Sequence, residues 1–316
     1  MKKLFISMLA VAALASCTND ETLSLNPGEA ISFGGPFIEN ATRADVAVDP
    51  SYTNSTLKAF KVWGTIAASD GQSVVPIYAN NKVEGNVGAG NVWKVTDENA
   101  PKQYWVNGAS YKFAALVNAG GVTLGDDKLP AKAAFDATLA ATDFLYAEPV
   151  SRTGEATGNV PVAFTFEHLL SKVKFTVNNG STTATGYSFV VKDIKVKGYK
   201  AGEVTLAGRR TWDFTDKTKA DYTVADIEVA SGDAKEENAQ ELLLIPGNFD
   251  ITFKVDILSQ GSVIATHSYP ATAGTAYNAT LEGGKAYNFQ INVAVGEEIT
   301  FSVLNAPTWG NYITLP

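Results

Sequence analysis

The chain has 316 residues, of which 45% are hydrophobic and only 18% are charged. This composition allows a sizeable core and argues against an intrinsically disordered protein. With 25 Lys and Arg against 33 Asp and Glu, the formal net charge is −8, which disfavours binding to nucleic acid. One Cys and two His exclude a structural zinc site and any disulfide within the chain.

The first 17 residues have the pattern of an export signal. Two lysines precede an apolar run that ends in small residues and is too short to span a bilayer. Leu14-Ala15-Ser16-Cys17 resembles the lipobox of bacterial lipoproteins, in which the signal is cut before a Cys that then carries acyl chains. We predict a signal peptide over residues 1–16, lipidation of Cys17 and anchorage to the outer membrane. Asp20 and Glu21 resemble a surface-export signal.

A polar leader follows and contains one candidate strand and one basic residue. Ala30-Ile31-Ser32-Phe33 alternates as a β-strand does. Arg43 is the sole Lys or Arg between Lys3 and Lys58, so a trypsin-like protease would cut this leader once, before Ala44. The residues alone leave two interpretations open: a processing site, or an ordinary solvated arginine.

Apolar residues in the body of the chain recur with period two, which predicts strands with one buried and one wet face. Glycine-rich turn signals separate these strands. Residues 130–142 have high helix propensity and allow one short helix. The clearest predicted strands contain Val173, Phe175 and Val177; Ile194 and Val196; Ile251, Phe253, Val255 and Ile257; and Tyr287, Phe289, Ile291, Val293 and Val295.

Short strands without long helices between them indicate an all-β fold of two tandem β-sandwiches. A short sequence echo supports two similar domains, because Gly108-Ala-Ser-Tyr111-Lys-Phe113 resembles Gly284-Lys-Ala-Tyr287-Asn-Phe289. We predict an N-terminal domain over residues 44–158 and a C-terminal domain over residues 159–296.

The C-terminal segment 297–316 is more apolar than a free chain end. Ile299, Phe301 and Val303 would share one strand face, and Trp309 adds a large apolar group before Tyr312-Ile313-Thr314-Leu315-Pro316. Such a segment must be buried, either in its own domain as an edge strand or in a neighbouring molecule.

Catalytic chemistry has little support in the sequence. There is no phosphate-binding loop, HExxH or GxSxG motif, so we predict no catalytic residue, metal site or cofactor and no enzyme. His168 is expected to be a hydrogen-bonded structural residue and His267 a surface strand residue. An alternative function is a surface glycan-binding lipoprotein of a polysaccharide-uptake system, with sugar platforms among Trp63, Trp93, Trp105 and Trp212.

Several motifs, in matching order over nearly the whole chain, resemble the fimbrillin family, whose members are lipoprotein precursors of type V pili in Bacteroidota. These motifs are the lipobox, Thr42-Arg43-Ala44, Phe60-Lys-Val62-Trp63-Gly64, Phe166-Glu-His168-Leu-Leu-Ser-Lys172, Leu242-Leu-Leu-Ile-Pro246-Gly247, Tyr287-x-Phe289, and Ile299-Thr-Phe301-Ser-Val303 with Trp309-Gly310.

The resemblance implies two transthyretin-like β-sandwiches and a mechanism of assembly. An arginine-specific protease would cut after Arg43 and remove the leader, residues 17–43, with its first strand. Loss of this strand would leave a groove in the N-terminal domain. The C-terminal segment of the next subunit would fill this groove as a donor strand, with Ile299, Phe301, Val303 and Trp309 as candidate contacts. The product would be a surface fimbria of one or several subunit types that supports adhesion. A non-cleaved anchor subunit of the same pilus is an alternative.

Overall fold

The computed structural model describes residues 28–35, 37–38, 57–67, 73–85, 93–98, 100–137, 143–184, 186–214, 218–237, 241–270 and 277–306. Every regular element in these ranges is a β-strand, so the predicted all-β class is confirmed. Within the same ranges, no helix is long and apolar enough to cross a membrane.

Strands of the first half are, in chain order, β1 (Phe37–Ile38), β2 (Ala59–Ala67), β3 (Val74–Glu84), β4 (Lys94–Val95), β5 (Ser110–Val117), β6 (Gly121–Leu124), β7 (Pro130–Asp136), β8 (Leu145–Thr153) and β9 (Thr165–His168). Strands of the second half are β10 (Ser171–Asn179), β11 (Tyr187–Tyr199), β12 (Ala201–Thr205), β13 (Thr211–Asp213), β14 (Lys219–Val224), β15 (Ile227–Val229), β16 (Lys235–Glu237), β17 (Leu242–Leu244), β18 (Gly247–Ser259), β19 (Ser262–Tyr269), β20 (Tyr277–Leu281), β21 (Ala286–Val293) and β22 (Thr300–Ala306).

These strands form four sheets. A seven-stranded sheet of the first half has the order β1-β9-β8-β5-β2-β3-β4. In the second half, one sheet is built on β16-β10-β21-β22 with β17 beside β10, and another on β14-β11-β18-β19 with β15 and β20 at its sides. The fourth sheet, β13-β12-β7-β6, takes strands from both halves.

The second half is a sandwich whose core comes from the alternating residues that the sequence indicated. Phe175, Val255 and Phe289 are buried in one cluster between its two sheets. Since β10, β11, β18 and β21 each place one apolar face in this cluster, the predicted strands around residues 173–177, 194–196, 251–257 and 287–293 are confirmed. The predicted wet face is wrong for β10, because Lys172, Lys174 and Thr176 are also buried, at 3.3, 3.3 and 3.0 Å from polar side chains of Glu241, Glu237 and Asn288.

The seven-stranded sheet is apolar on both faces. One face carries an aromatic-rich cluster that includes Phe60 and Phe113. The other face, with Leu116 and Tyr146, packs in a cluster that also contains Val204 from the second half. The two halves therefore share a sheet and a core. β9, which follows the predicted division at residues 158 and 159, pairs with β8 of the first half.

The short helix allowed for residues 130–142 is wrong over residues 130–136, which form β7. This strand pairs with β6 on one edge and with β12 on the other, and its Ala133 and Phe135 are buried. Two-sided backbone pairing and burial outweigh the helix preference of its alanines, because tertiary context overrides weak intrinsic propensity.

The sequence echo corresponds to the same local structure in both halves. Gly108 and Gly284 have positive φ, 78° and 69°, which glycine adopts without strain. Three residues later, the Tyr111 hydroxyl accepts a hydrogen bond from the Val106 amide at 2.7 Å, and the Tyr287 hydroxyl accepts one from the Glu282 amide at 2.9 Å. Each tyrosine thus ties the start of its strand to the backbone five residues upstream.

Candidate functional site

The described part of the leader, residues 28–35 and 37–38, lies between two segments of the first half. On one side, Trp105 donates its amide to the Glu29 carbonyl and Ile31 donates to the Gln103 carbonyl, each at 2.9 Å. On the other side, Gly34 and Ser32 exchange two 2.9 Å bonds with the backbone of Val162. β1 then continues parallel to β9. Residues 29–34 of the leader are therefore hydrogen-bonded along both edges.

Side chains of the leader alternate between the core and the surface. Ile31 and Phe33 are 8% and 2% exposed, whereas Ala30 is exposed and Ser32 is half-buried. Ala30–Phe33 is therefore an extended segment with one buried face, although its pairings are isolated bridges at Ala30 and Phe33 and not the regular strand that the sequence predicts.

Four aromatic rings surround the Phe33 side chain, and we call the space it fills the Phe33 pocket. Its ring centroid lies 5.6 Å from that of Tyr78 and 6.1 to 6.3 Å from those of the other three rings, at edge-on and stacked angles that aromatic pairs prefer. Burial in this cluster raises the pKa of the Tyr78 hydroxyl. The other three rings are those of Phe60, Phe113 and Phe164.

The Glu29 carboxylate fastens the leader to a loop about 130 residues away. Its oxygens accept hydrogen bonds from the Gly158 amide at 3.1 Å, the Asn159 amide at 2.7 Å and the Asn159 side-chain amide at 3.0 Å. These bonds, the Gly158 amide first among them, hold the pKa of Glu29 below its ordinary value, since they favour the charged form. Sequence reasoning missed this contact because no local pattern links the two positions.

At the other end of the chain, β22 lies in the second sandwich. It pairs antiparallel with β21 along its whole length, from Asn292↔Thr300 to Ala286↔Ala306. Phe301 is half-buried, and its ring lies 5.2 Å from Tyr269 and 5.8 Å from both Phe253 and Phe289. Ile299 is also half-buried against the same core. Val303 is opposite Phe289 in the backbone register.

Four of the predicted site residues, Cys17, Arg43, Ala44 and Trp309, lie outside the described residues. Their roles in lipidation, processing and strand donation stay predictions. Arg43 is ten positions after Phe33 in the sequence, so the predicted cut falls beyond the leader residues that pack in the core.

The remaining chemical candidates are structural. His168 is buried, and its Nδ1 lies 2.6 Å from the carboxylate of buried Asp143, as expected of a structural histidine. His267 is exposed on β19, as predicted. Across the described ranges, no three His, Cys, Asp or Glu side chains are grouped to hold a metal ion.

The tryptophans named for glycan binding are mostly in the core. Trp63, Trp93 and Trp105 are only 3%, 1% and 5% exposed, so their faces cannot serve as sugar platforms. Trp212 is half-buried and packs edge-on against Phe144. The glycan-binding alternative therefore loses three of its four candidate residues.

Comparison with known proteins places this architecture in a family. A family model described as fimbrillin-like matches residues 42–307. The chain belongs to the fimbrillin-like family. Membership makes it a fimbrial, adhesion-related structural subunit of the cell surface, which assembles with other fimbrial subunits, and not an enzyme.

Solved structures share the fold of this fimbrillin-like chain at low sequence identity. A fimbrial protein from Bacteroides vulgatus ATCC 8482 is 13% identical with a TM-score of 0.57, over 88% of this chain and 99% of that one. A candidate cell adhesion protein from Bacteroides ovatus ATCC 8483 is 14% identical with a TM-score of 0.51, over 92% and 99% of the two chains. No curated protein sequence matches the chain.

Proposed function

We propose that this fimbrillin-like chain is a precursor that becomes a polymerising pilus subunit by exchange of one strand. The chain is exported as a lipoprotein, held in the outer membrane through acylated Cys17 and cut after Arg43 by an arginine-specific protease. The leader then leaves the first half. A strand from the C-terminal segment, residues 297–316, of a neighbouring subunit takes its place and links the subunits into an adhesive fimbria.

The observation that carries the proposal is the position of Phe33 in the N-terminal core. A removable leader that only covered the surface would leave a finished domain behind. This leader instead supplies two buried side chains and hydrogen bonds along both of its edges. Its loss therefore exposes an apolar trough flanked by unpaired backbone groups, which is the kind of surface that binds an added strand.

The free energy of apolar burial supports replacement of the leader by another strand over loss of the leader alone. Burial of Ile31 and Phe33 contributes roughly 1.5–3 kcal/mol each, which a replacement strand with two apolar side chains can recover. Donor and acceptor lie in different parts of the subunit, so the contact joins copies head to tail. Such a contact extends into a filament unless its rotation closes a ring.

The test uses the full-length precursor in detergent and an arginine-specific protease. Wild-type precursor is expected to lose its leader and to form ladders on unboiled SDS gels, because each inserted strand resists dissociation. Arg43→Ala is expected to keep the leader and stay monomeric. Arg209→Ala, which removes an exposed arginine outside the leader, is the matched control and is expected to behave as wild type.

Two results would overturn the proposal. One is a protein that is cut at Arg43 and freed of its leader, yet stays monomeric at high concentration. The other is an Arg43→Ala precursor that forms ladders as fast as wild type under the same protease.

A further inference from the structure

Three stretches in the leader and the C-terminal segment share one pattern, an isoleucine, a hydroxyl residue and a large apolar residue, which also occurs outside them at Ile6-Ser7-Met8 and Ile251-Thr252-Phe253. The first is Ile31-Ser32-Phe33 in the leader. The other two are Ile299-Thr300-Phe301 and Ile313-Thr314-Leu315 in the C-terminal segment. In a strand, the first and third residues of such a stretch face the same side. Either C-terminal copy can therefore present its side chains as Ile31 and Phe33 do.

The first C-terminal copy already forms part of the second sandwich of its own subunit. Thr300 and Phe301 begin β22, which pairs with β21 over seven residues of its own sandwich. The Phe301 ring packs against the rings of Phe253, Tyr269 and Phe289. Donating this copy would break that ladder and expose the aromatic cluster. The pairing and burial gained in a neighbouring subunit would therefore be offset by the pairing and burial lost in its own.

We infer that the second copy is the one that enters the neighbouring subunit, while β22 stays in place as its attachment. Ile313 takes the place of Ile31, and Leu315 enters the Phe33 pocket. This assignment rests on the proposed function and specifies its partner segment as residues 312–315 of a second copy of this chain. Residues 307–311 are then the linker, with a reach of about 17 Å when extended.

The two strands differ in how well they suit the Phe33 pocket. The pocket is shaped by four rings around a phenyl group, and leucine fills it less completely. The leader therefore competes successfully with the tail of a neighbour as long as it is covalently attached. Premature assembly is disfavoured by this difference in fit as well as by the attachment.

Crosslinking between copies distinguishes the two registers. In the precursor, Ala30 is the antiparallel partner of Tyr104, and the flanking backbone bonds make this a close, non-hydrogen-bonded pair. Cysteines at such a pair are near enough to form a disulfide. If Leu315 occupies the Phe33 pocket, Tyr312 lies opposite Tyr104. If Phe301 occupies it, Glu298 does.

The experiment mixes processed subunits carrying Tyr104→Cys with processed subunits carrying either Tyr312→Cys or Glu298→Cys, under mild oxidation. We expect a crosslinked dimer with Tyr312→Cys and at least tenfold less with Glu298→Cys. Leu315→Phe is expected to slow dissociation of the ladder in SDS by roughly tenfold, since it restores apolar contact in the pocket. Thr314→Phe, the matched control on the opposite strand face, is expected to give no such gain.

The outcomes separate this inference from the proposed function. Ladders that crosslink through Glu298→Cys, or through neither cysteine, overturn the assignment of Ile313 and Leu315 but leave strand exchange standing. Absence of ladders from the wild-type processed subunit counts against strand exchange itself. A chain ending at Ala306 that keeps the thermal transition of the second sandwich but still forms ladders also overturns the assignment.

Discussion

Replacing Phe33 by alanine is the most direct perturbation of the leader. The side chain is 2% exposed and is in contact with four rings, so its truncation removes buried apolar area and leaves a cavity. Such a change costs about 3–5 kcal/mol in a core that does not collapse around it. In the equilibrium between bound and released leader, this energy corresponds to roughly a hundred- to several-thousand-fold.

Two assays measure this effect. Urea unfolding of the uncut precursor is expected to give a lower midpoint for Phe33→Ala with an unchanged slope, because native stability falls while the exposed area does not change. After cleavage at Arg43, size-exclusion chromatography of the cut complex measures how fast the leader departs. We expect departure to be faster in the variant by about two orders of magnitude or more.

Ser32→Ala is the control, since this neighbour is half-buried on the outer side of the strand and its change is expected to stay within about 0.5 kcal/mol. A second control is internal: once the leader has gone, variant and wild type have the same sequence and must polymerise at the same rate. Equal stability and equal leader release for Phe33→Ala and Ser32→Ala would refute the role of Phe33 as the anchor of the leader.

Three further predictions concern the leader and the repeated tyrosine contact. The pKa of the Glu29 carboxylate is lowered, so the charged form stabilises the bound leader at pH values above the ordinary pKa of 4.5, and this stabilisation is lost as the pH falls through the lowered pKa. Release of the leader from the cut precursor is therefore expected to be faster at pH 3 than at pH 7. The difference between the two pH values is expected to be smaller in Glu29→Gln. Gly28→Ala is expected to lower the melting temperature of the precursor but not of the processed subunit, because a Cβ there would lie 2.4 Å from the Trp105 carbonyl oxygen. Tyr111→Phe and Tyr287→Phe each remove one hydroxyl that accepts a backbone hydrogen bond, so each is expected to cost about 1 kcal/mol in urea unfolding, and a negligible cost in either half would contradict equivalent roles for the two contacts.

Local patterns predicted the strands whose burial alternates. Phe253 is recognisable because its polar neighbours on the same strand, Thr252 and Lys254, are exposed while Phe253 itself is buried. β7 was not recognisable, since alanine carries little strand preference and the pairing partners of β7 come from distant parts of the chain. Period and propensity report on a segment, whereas pairing on both edges depends on the whole topology.

The candidate site shows the same limit. Ala30–Phe33 was predicted as a strand from its alternation, but its depth in the core depends on Trp105 and Val162, which are far away in sequence. The hydrogen bonds from Gly158 and Asn159 to the Glu29 carboxylate have no local signal in the sequence. In the C-terminal segment, the alternation of Ile299 and Phe301 predicted a strand correctly, yet it could not tell a home strand from a donated one, because both bury the same face.

The order of the features along the chain couples membrane release to activation in the proposed processing. Cys17 and the core-forming Ile31 and Phe33 lie on the same side of Arg43. One cut therefore severs the subunit from its lipid, and the departing leader takes with it the strand that fills the trough. A subunit that is still covalently bound to its lipid also keeps its own strand in the trough. Its apolar trough is therefore covered, and this matters because large exposed apolar surfaces are associated with aggregation. Because the cut lies after Ile31 and Phe33, and not between them and the lipid, the trough opens only in subunits that are released from the membrane and free to join a filament.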